Sequence, residues 1–386
     1  MLIDILYVAL IVAMGVTVAS MIYLLFAMWR VGQFARRPLA RGTSHEPVSV
    51  LIPIAGLDAG LYDNLRSICR QNYPDYQVIL GLERASDPAI EVIRRIMSEF
   101  RDRDIALVVA QQGQEENLKI RNLAQMYPRA KHAILVMLDS DMRVTPNYLM
   151  SIVAPFQDTG IGLVTCLYKG RPGRGLSSRL ASMYINEWFL PSVLVASAVR
   201  KAEICLGATM AVRRDILDSI GGFSRLASYL ADDYMLGRLV SEQGYRVHVS
   251  SYVVENVIVE RDLKSLFHHE LRWAKTIRTV QPRGYAFSFI MYAVPVAVVT
   301  GILDEITTDS DIFEIGFVAV ALFLRIALHY ITRKALGDTS PPTPWLVPVR
   351  DMLSFVVWVA GFFGNDVLWR GRSFSVGRDG RLVAKS

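Results

Sequence analysis

Two acidic pairs and one basic, aromatic run are the residues of this chain whose types and spacing could do chemistry. Asp139, Ser140 and Asp141 follow directly on the apolar run Ala-Ile-Leu-Val-Met-Leu. On an extended chain residues i and i+2 point to the same face, so the Asp139 and Asp141 carboxylates converge. Such oxygens suit a hard divalent cation, Mg2+ or Mn2+, bound together with substrate phosphates. Solvated acidic turns contain the same triplet; its place behind a strand-like run is what makes it a metal candidate. The second pair, Asp232-Asp233, opens an apparent helix running to about Gln243. A helix N-terminus favours acidic residues by about 0.3–1 kcal/mol, which accounts for one Asp better than for two. The chemical reading is a general base for an alcohol, with the helix dipole expected to depress its pKa and keep it ionised. Successive helical residues lie about 100° apart, so only one of the two can face a given hydroxyl. The third group is His268-His269-Glu270-Leu271-Arg272-Trp273, with Lys264, Lys275 and Arg278 around it. Arg forks onto phosphate oxygens and Trp offers a flat face, although a cationic helix lying on lipid headgroups has the same composition.

These residues need elements to hold them. Apolar runs recur at Val48–Ile54, Gln77–Leu82, Ile105–Ala110 and Ala133–Leu138, separated by helical patterns at Gly60–Arg70, Pro88–Phe100 and Asn117–Tyr127. Val- and Ile-rich strands alternating with helices predict β-α-β units on a parallel sheet. In such sheets ligands sit at the carboxyl ends of the strands, where the Asp139–Asp141 triplet falls. The soluble domain is expected over residues 43–283.

Outside it the composition changes. The chain has 386 residues, 42 Lys+Arg against 36 Asp+Glu, 52% hydrophobic and only 20% charged residues, and a mean hydropathy of +0.30. A soluble domain carries about 25% charge, so there is more apolar surface here than one soluble core needs. Disorder is excluded. Cys69, Cys166 and Cys205 are too few and too scattered for a disulfide scaffold and suit a reducing compartment; Cys205 reads as packed in an apolar run. Ile5 to Trp29 is uncharged and long enough to span a bilayer, which predicts an uncleaved anchor within residues 1–29. Arg30, Arg36, Arg37 and Arg41 follow it and place the next domain in the cytoplasm. Further spans are expected at Tyr285–Leu303 and Ile315–Ile331, joined by an acidic connector (Asp304, Glu305, Asp309, Asp311, Glu314) and followed by Arg333 and Lys334. Arg325 and His329 inside the second span should face protein rather than lipid. Trp345–Trp369 has an uncharged core of only about 14 residues and reads as re-entrant. The tail 370–386 is basic through Arg370, Arg372, Arg378, Arg381 and Lys385. Met183, Tyr184, Trp188, Phe189, Leu190 and Val193, with Pro191 expected to break their helix, suit either a core or a membrane-dipping lip.

The order of these motifs, with VSVLIPI, ASDPA, NLKIRNL, ICLGATMAVRRDIL and VPVRDMLSFVVWVAGFF, resembles the membrane-bound GT-A glycosyltransferases of the ceramide glucosyltransferase family. The bacterial hopanoid-biosynthesis branch is the nearest in YINEWFLPSVLVA and LRWAKTIRTVQPRGYAFSF. The resemblance covers nearly the whole chain. It implies an α/β fold, a nucleotide-diphospho-sugar transferase domain with an N-terminal transmembrane anchor and C-terminal membrane helices. It further implies that Asp139 and Asp141 hold the metal and the nucleotide sugar, that Asp233 is the base and that Asp232 shapes the site. Arg272 and Trp273 match the R-W pair of the family's (Q/R)-x-x-R-W motif, with His269 where Gln or Arg is usual. Lys119 and Asn122 match a K-x-x-N element near the nucleotide. The family's uridine-binding Asp is replaced by Arg84; either the adjacent Glu83 serves instead or that contact differs. The activity expected is inverting transfer from a UDP-sugar to a lipid hydroxyl, with N-acetylglucosamine to a hopanoid such as bacteriohopanetetrol first and glucose to ceramide second. The partners expected are the UDP-sugar, the acceptor lipid and the bilayer, with no nucleic acid; the expected location is the bacterial inner membrane with the catalytic domain in the cytoplasm. A processive polysaccharide synthase would need more spanning helices, and a non-catalytic lipid-binding protein would not need both acidic pairs.

Overall fold

A computed structural model describes residues 2–40, 46–110, 117–199, 204–308, 311–364, 366–369, 372–376 and 381–384. Arg41, Asp309, Arg370, Arg378 and Lys385, used above to read the membrane flanks, lie outside these residues. Helix α1 (Leu2–Ala35) leads into β1 (Val48–Ile54), α2 (Leu61–Cys69), β2 (Tyr76–Leu82), α3 (Ile90–Glu99), β3 (Asp104–Val109) and α4 (Leu118–Met126). Next come β4 (Ile134–Leu138), β5 (Met142–Arg143), α5 (Tyr148–Val153) and β6 (Ile161–Pro172). The helix α6 (Leu176–Tyr184) passes through a π turn (Ile185–Phe189) into α7 (Leu190–Val199). β7 (Thr209–Arg213), α8 (Arg214–Ser219), α9 (Asp232–Glu242) and β8 (Arg246–Ile258) follow. The remainder is α10 (Leu263–Val280), α11 (Pro282–Phe287), α12 (Ala293–Thr308), α13 (Asp311–Ala335), α14 (Val347–Ala360) and the short strands β9 (Asp366–Trp369), β10 (Arg372–Val376) and β11 (Leu382–Ala384). These elements form two compact units. A helical unit comprises Met1–Arg36, Arg174–Val199 and Glu260–Arg372; a sheet unit comprises Arg37–Gly173, Arg200–Val259 and Ser373–Ser386.

The sheet unit is built on one eight-stranded sheet in the order β3-β2-β1-β4-β7-β6-β8-β5. β3, β2, β1 and β4 run parallel, in registers such as Val48↔Tyr76 and Val48↔Ile134. β7 is antiparallel to both β4 and β6, so the sheet is mixed beyond its first half. β1, β2 and β4 are buried along their whole length because both faces are covered, whereas the edge strand β3 is only partly buried. Val48, Val50, Ile52 and Ile54 pack into a core with α2, α3 and α5, whereas Leu51, Ile79, Leu135 and Met137 pack into a second core with α4, α8 and α9. β1 lies between β2 and β4: the chain moves outward from β1 through β2 to β3 and then returns past β1 to β4, and this reversal opens a crevice at the carboxyl ends of β1 and β4.

Among the described residues of the helical unit, two helices are by length and composition apolar enough to cross a bilayer, Asp4–Ala35 and Ile315–Ala335. Tyr285–Leu303 is not the single helix expected. Pro282–Met291 and Ala293–Thr308 meet at 71°, where Pro295, near the start of α12, has no N–H to offer the preceding turn. Pro191 does not break its helix either. The π turn before it absorbs the missing donor, as π turns do inside α-helices. Arg325 and His329 are buried. Both Asp351 oxygens accept from Arg325, and Asp351 Oδ1 also accepts from Trp188 Nε1 at 3.1 Å. His329 Nε2 accepts the Thr343 backbone N–H at 3.3 Å, so Nδ1 carries the proton and donates to Glu187 at 2.7 Å.

Candidate active site

The carboxyl ends of β1 and β4 supply the first residues of the site. After β4 the Asp139 N–H donates to Ala208 O, prolonging the pairing with β7, and the Met142 N–H donates to Asp139 O, which closes a turn over Asp139–Asp141. The turn is held from the β1 side, where Ser140 Oγ donates to Asp58 Oδ2 at 2.7 Å and Asn64 Nδ2 donates to Ser140 O at 3.2 Å. Asp141 Oδ2 accepts from Asn256 Nδ2 at 2.8 Å, because β5 and β8 pair Met142 with Asn256. Burial, then the charges of Asp139 and Asp58, push Asp141 up to about 7 against that amide's pull.

Lys119 stands in the first turn of α4. Its Nζ lies 2.6 Å from Asp139 Oδ1 and donates to Gly207 O at 3.0 Å. Burial alone would lower its pKa, but Asp139, Asp232 and Asp233 overcome this and hold the ammonium above the usual lysine range. Asn117 caps the same helix. Its Oδ1 accepts the N–H groups of Lys119 and Ile120, and its Nδ2 donates to Tyr229 O at 2.9 Å and Asp232 Oδ1 at 3.3 Å. One buried side chain thus ties the start of α4 to the start of α9.

Asp233 Oδ2 accepts the Gly207 N–H at 2.8 Å and its Oδ1 accepts the Tyr234 N–H at 2.7 Å. Gly207 therefore gives its N–H to the base candidate and its carbonyl to Lys119. A Cβ there would lie 3.1 Å from Asp233 Oδ2 and 3.5 Å from Lys119 Nζ, so only glycine fits without displacing one of them. Asp232 Oδ2 is buried with no hydrogen-bond partner among the described residues. The depressed pKa expected from the helix terminus is not found. Burial pushes Asp232 up to about 6 despite Lys119, with Asp233 and Asp139 adding repulsion, and burial is also the chief cause that raises Asp233. Desolvation of a carboxylate outweighs a dipole worth about 0.3–1 kcal/mol.

The structure thus brings Lys119, Asp139, Asp232 and Asp233 together, with Asp141 beside Asp139. Asn122, expected near a nucleotide, is buried behind β2, where its Nδ2 donates to Gly81 O at 2.9 Å; it packs α4 onto the sheet. Glu83 pairs with Arg121 at 3.0 Å. Cys205 is buried in the core beside α9, and its thiol is raised far above the usual range by burial. His269, Arg272 and Trp273 lie on α10 of the helical unit. There His269 Nδ1 is 2.7 Å from Glu260 Oε1, and the Trp273 ring stacks on Tyr184 at 5.9 Å and tilts against His269 at 4.3 Å. Glu270 between them is buried in a bidentate pair with Arg350 of α14, at 2.8 and 2.7 Å.

Sequence reasoning did not single out Asp58, Asn117, Gly207 or Asn256. Asp58 lies in a strand-end loop, and Asn117 is a cap-type residue directly before a helical pattern, so both carry a signal. Asn256 carries none, because only the antiparallel pairing of β8 with β5 brings it here. Asp87, within ASDPA, accepts the N–H groups of Gly56 and Ala89, both at 2.9 Å, and ties the loop after β1 to the start of α3.

The fit to a divalent cation is a matter of donor chemistry. Asp139 and Asp141 offer hard oxygens, and a cation would relieve the repulsion that drives Asp141 towards protonation. No group of three His, Cys, Asp or Glu among the described residues could hold an ion alone. Two carboxylates alone would suit a Mg2+-type ion whose other positions are filled by diphosphate oxygens and water.

The chain matches the profile of glycosyl transferase family 21 over residues 12–382. It is 24% identical over 229 residues to ceramide glucosyltransferase 3 of Caenorhabditis elegans, covering 59% of this chain and 50% of that protein. It is 23% identical over 240 residues to beta-monoglucosyldiacylglycerol synthase of Trichormus variabilis, covering 59% and 48%. The chain thus matches about half the length of these two relatives. Among solved structures, a mannosyltransferase of Pyrobaculum calidifontis in complex with GDP-Man and Mn2+ shares the fold at a TM-score of 0.55 and 18% identity, covering 92% of this chain and 97% of that one.

Proposed function

The chain belongs to glycosyl transferase family 21, and on that premise we propose that it transfers a sugar from a UDP-sugar to the hydroxyl of a membrane lipid, with inversion. The observation that carries this reading is the Lys119 ammonium bonded to Asp139 and to the same glycine, Gly207, that fixes Asp233. A cation for a diphosphate and a base for a hydroxyl are thereby held by one backbone unit. Asp233 takes the acceptor's hydroxyl proton while the oxygen forms its bond to the anomeric carbon. In the same displacement the bond from that carbon to the diphosphate breaks, and the electron pair leaves with UDP. Lys119 draws the negative charge that develops there. Asp139 and Asp141 would hold the divalent cation, whose chemistry when bound is Lewis-acid neutralisation of the diphosphate; the Mn2+ of the archaeal mannosyltransferase supports this assignment. The raised proton affinity of Asp233 suits the role, because a base works best with a pKa near the operating pH. His269, Arg272 and Trp273 are assigned to substrate binding on their motif, and Glu83 to the uridine.

Glucose is the sugar that the relatives' names support, with ceramide or diacylglycerol as the acceptor class. Transfer of N-acetylglucosamine to a hopanoid rests on the likeness of Tyr184–Ala196 to the hopanoid branch. We place the protein in the bacterial inner membrane, with the sheet unit in the cytoplasm, on the arginines that follow α1. A processive synthase has less support, since the described residues hold two membrane-length helices, or three if the bent pair counts as one.

The test is UDP release by the purified protein with UDP-glucose and UDP-N-acetylglucosamine against ceramide, diacylglycerol and bacteriohopanetetrol, with products identified by mass spectrometry. Lipid-dependent release that is lost in Asp233→Asn supports the reading. Turnover without lipid, or full turnover by Asp233→Asn, contradicts it.

A further inference from the structure

The C-terminal residues, which by sequence are only a basic tail, belong to the sheet unit from Ser373 onward. β10 and β11 pair antiparallel through Phe374↔Ala384, Ser375↔Val383 and Val376↔Leu382. Directly before β11, Arg381 forms an antiparallel bridge with Tyr229, and its guanidinium lies over the Tyr229 ring at 5.6 Å. Tyr229 stands three residues before Asp232 in the loop that leads into α9. Its carbonyl accepts from Asn117 Nδ2, the amide that also donates to Asp232 Oδ1, while Asn117 Oδ1 caps the turn that carries Lys119. Asn117 is fully buried, so it cannot exchange these bonds for water.

We propose that Arg381 is a positioning residue: by clamping Tyr229 through ring and backbone it holds the carbonyl that orients Asn117, and Asn117 sets Asp232 and the first turn of α4. The inference rests on the proposed role of the Lys119–Asp233 centre. An exposed guanidinium over a half-buried ring is a modest interaction, so the expected effect is modest too and falls on the orientation of the reacting groups rather than on folding.

The experiment uses the full-length protein and measures kcat, donor KM and melting temperature for Arg381→Ala, Tyr229→Leu, their double variant and Tyr229→Phe. Expected for Arg381→Ala is a fall in kcat of about two- to fivefold, with donor KM and melting temperature unchanged. The double variant should be no slower than the slower single, and Tyr229→Phe, which keeps the ring, should match wild type. Wild-type kcat in Arg381→Ala, multiplying losses in the double variant, or a melting temperature that falls with kcat would each overturn the clamp. Asp233→Asn is measured alongside. If it is inactive while Arg381→Ala is unaffected, only the clamp fails; if Asp233→Asn retains turnover, the functional reading fails instead.

Discussion

At Lys119 one ammonium answers three carboxylates, and the two bonds it makes, to Asp139 and to Gly207 O, decide which substitutions should matter. Asp139→Ala should abolish transfer with the fold intact, and Asp141→Ala should cost less. Equal turnover by Asp139→Ala and wild type would remove Asp139 from the metal site. Asp233→Asn keeps size but removes basicity, and turnover should fall by about 10²–10⁴ while donor binding, measured calorimetrically, persists. Asp232→Asn should cost less. Gly207→Ala should lower kcat while leaving the melting temperature near wild type, because the atoms nearest the added methyl belong to Asp233 and Lys119. The proton affinities give two signs. Catalysis needs Asp233 ionised, and burial raises its proton affinity, so kcat/KM at saturating divalent cation should fall as the pH drops below neutrality, with Asp232 contributing near 6. Stability runs the other way. Between the ordinary carboxylate range and about 7 the folded state binds more protons than the unfolded one, so stability falls as pH rises through that window. In chelator-treated, metal-free protein Asp141→Asn, which cannot ionise, should therefore melt higher than wild type at pH 7.5; a lower melting point there would show that its carboxylate is not strained by burial.

The legible elements were those whose signal is local. β1 matches its expected bounds, Val48–Ile54, and α2, α3 and α4 each lie within one or two residues of theirs, because Val- and Ile-rich runs between helical patterns read directly as β-α-β units. The second half of the sheet was not legible: β7 and β8 come from segments whose partners are distant, and their direction is set by pairing rather than by composition. The site divided along the same line. Asp139, Asp141, Asp232 and Asp233 stand at element ends and announce themselves, whereas Gly207 acts only through two backbone bonds. Asn122 is a motif residue whose buried side chain packs α4 against β2. The contact it makes gives a prediction for α4. A Cβ at Gly81 would lie 2.2 Å from Asn122 Oδ1 and 2.3 Å from Met126 Sδ, so Gly81→Ala should push α4 off β2. Overpacking of this kind costs about 1–3 kcal/mol. The expected result is a lowered melting temperature, together with weaker donor binding because α4 carries Lys119. Unchanged melting would mean that α4 shifts freely.

For the molecule as a whole, the buried pair of Arg325 on α13 and Asp351 on α14 is the feature with the widest reach. Removing one partner of such a pair leaves an orphaned charge and costs about 3–5 kcal/mol. Arg325→Ala and Asp351→Ala should each sharply reduce the yield of folded protein, and the exchange Arg325→Asp with Asp351→Arg should recover part of it; no recovery would indicate that Trp188 or the helix environment reads the polarity of the pair. The same pair also constrains how the protein is made. α13 leaves the ribosome before α14, carrying an arginine inside a stretch that must enter lipid, and an arginine at a helix centre raises the insertion free energy by about 2.5–3.5 kcal/mol on translocon scales. Until Asp351 has been synthesised, Arg325 lacks the carboxylate it hydrogen-bonds, with only the coulombic pull of Glu187 to offset its charge, so integration of α13 should wait at the insertion machinery for the next helix. A nascent chain halted before Val347 should therefore leave α13 extractable from membranes by alkali, and one extended beyond Ala360 should not.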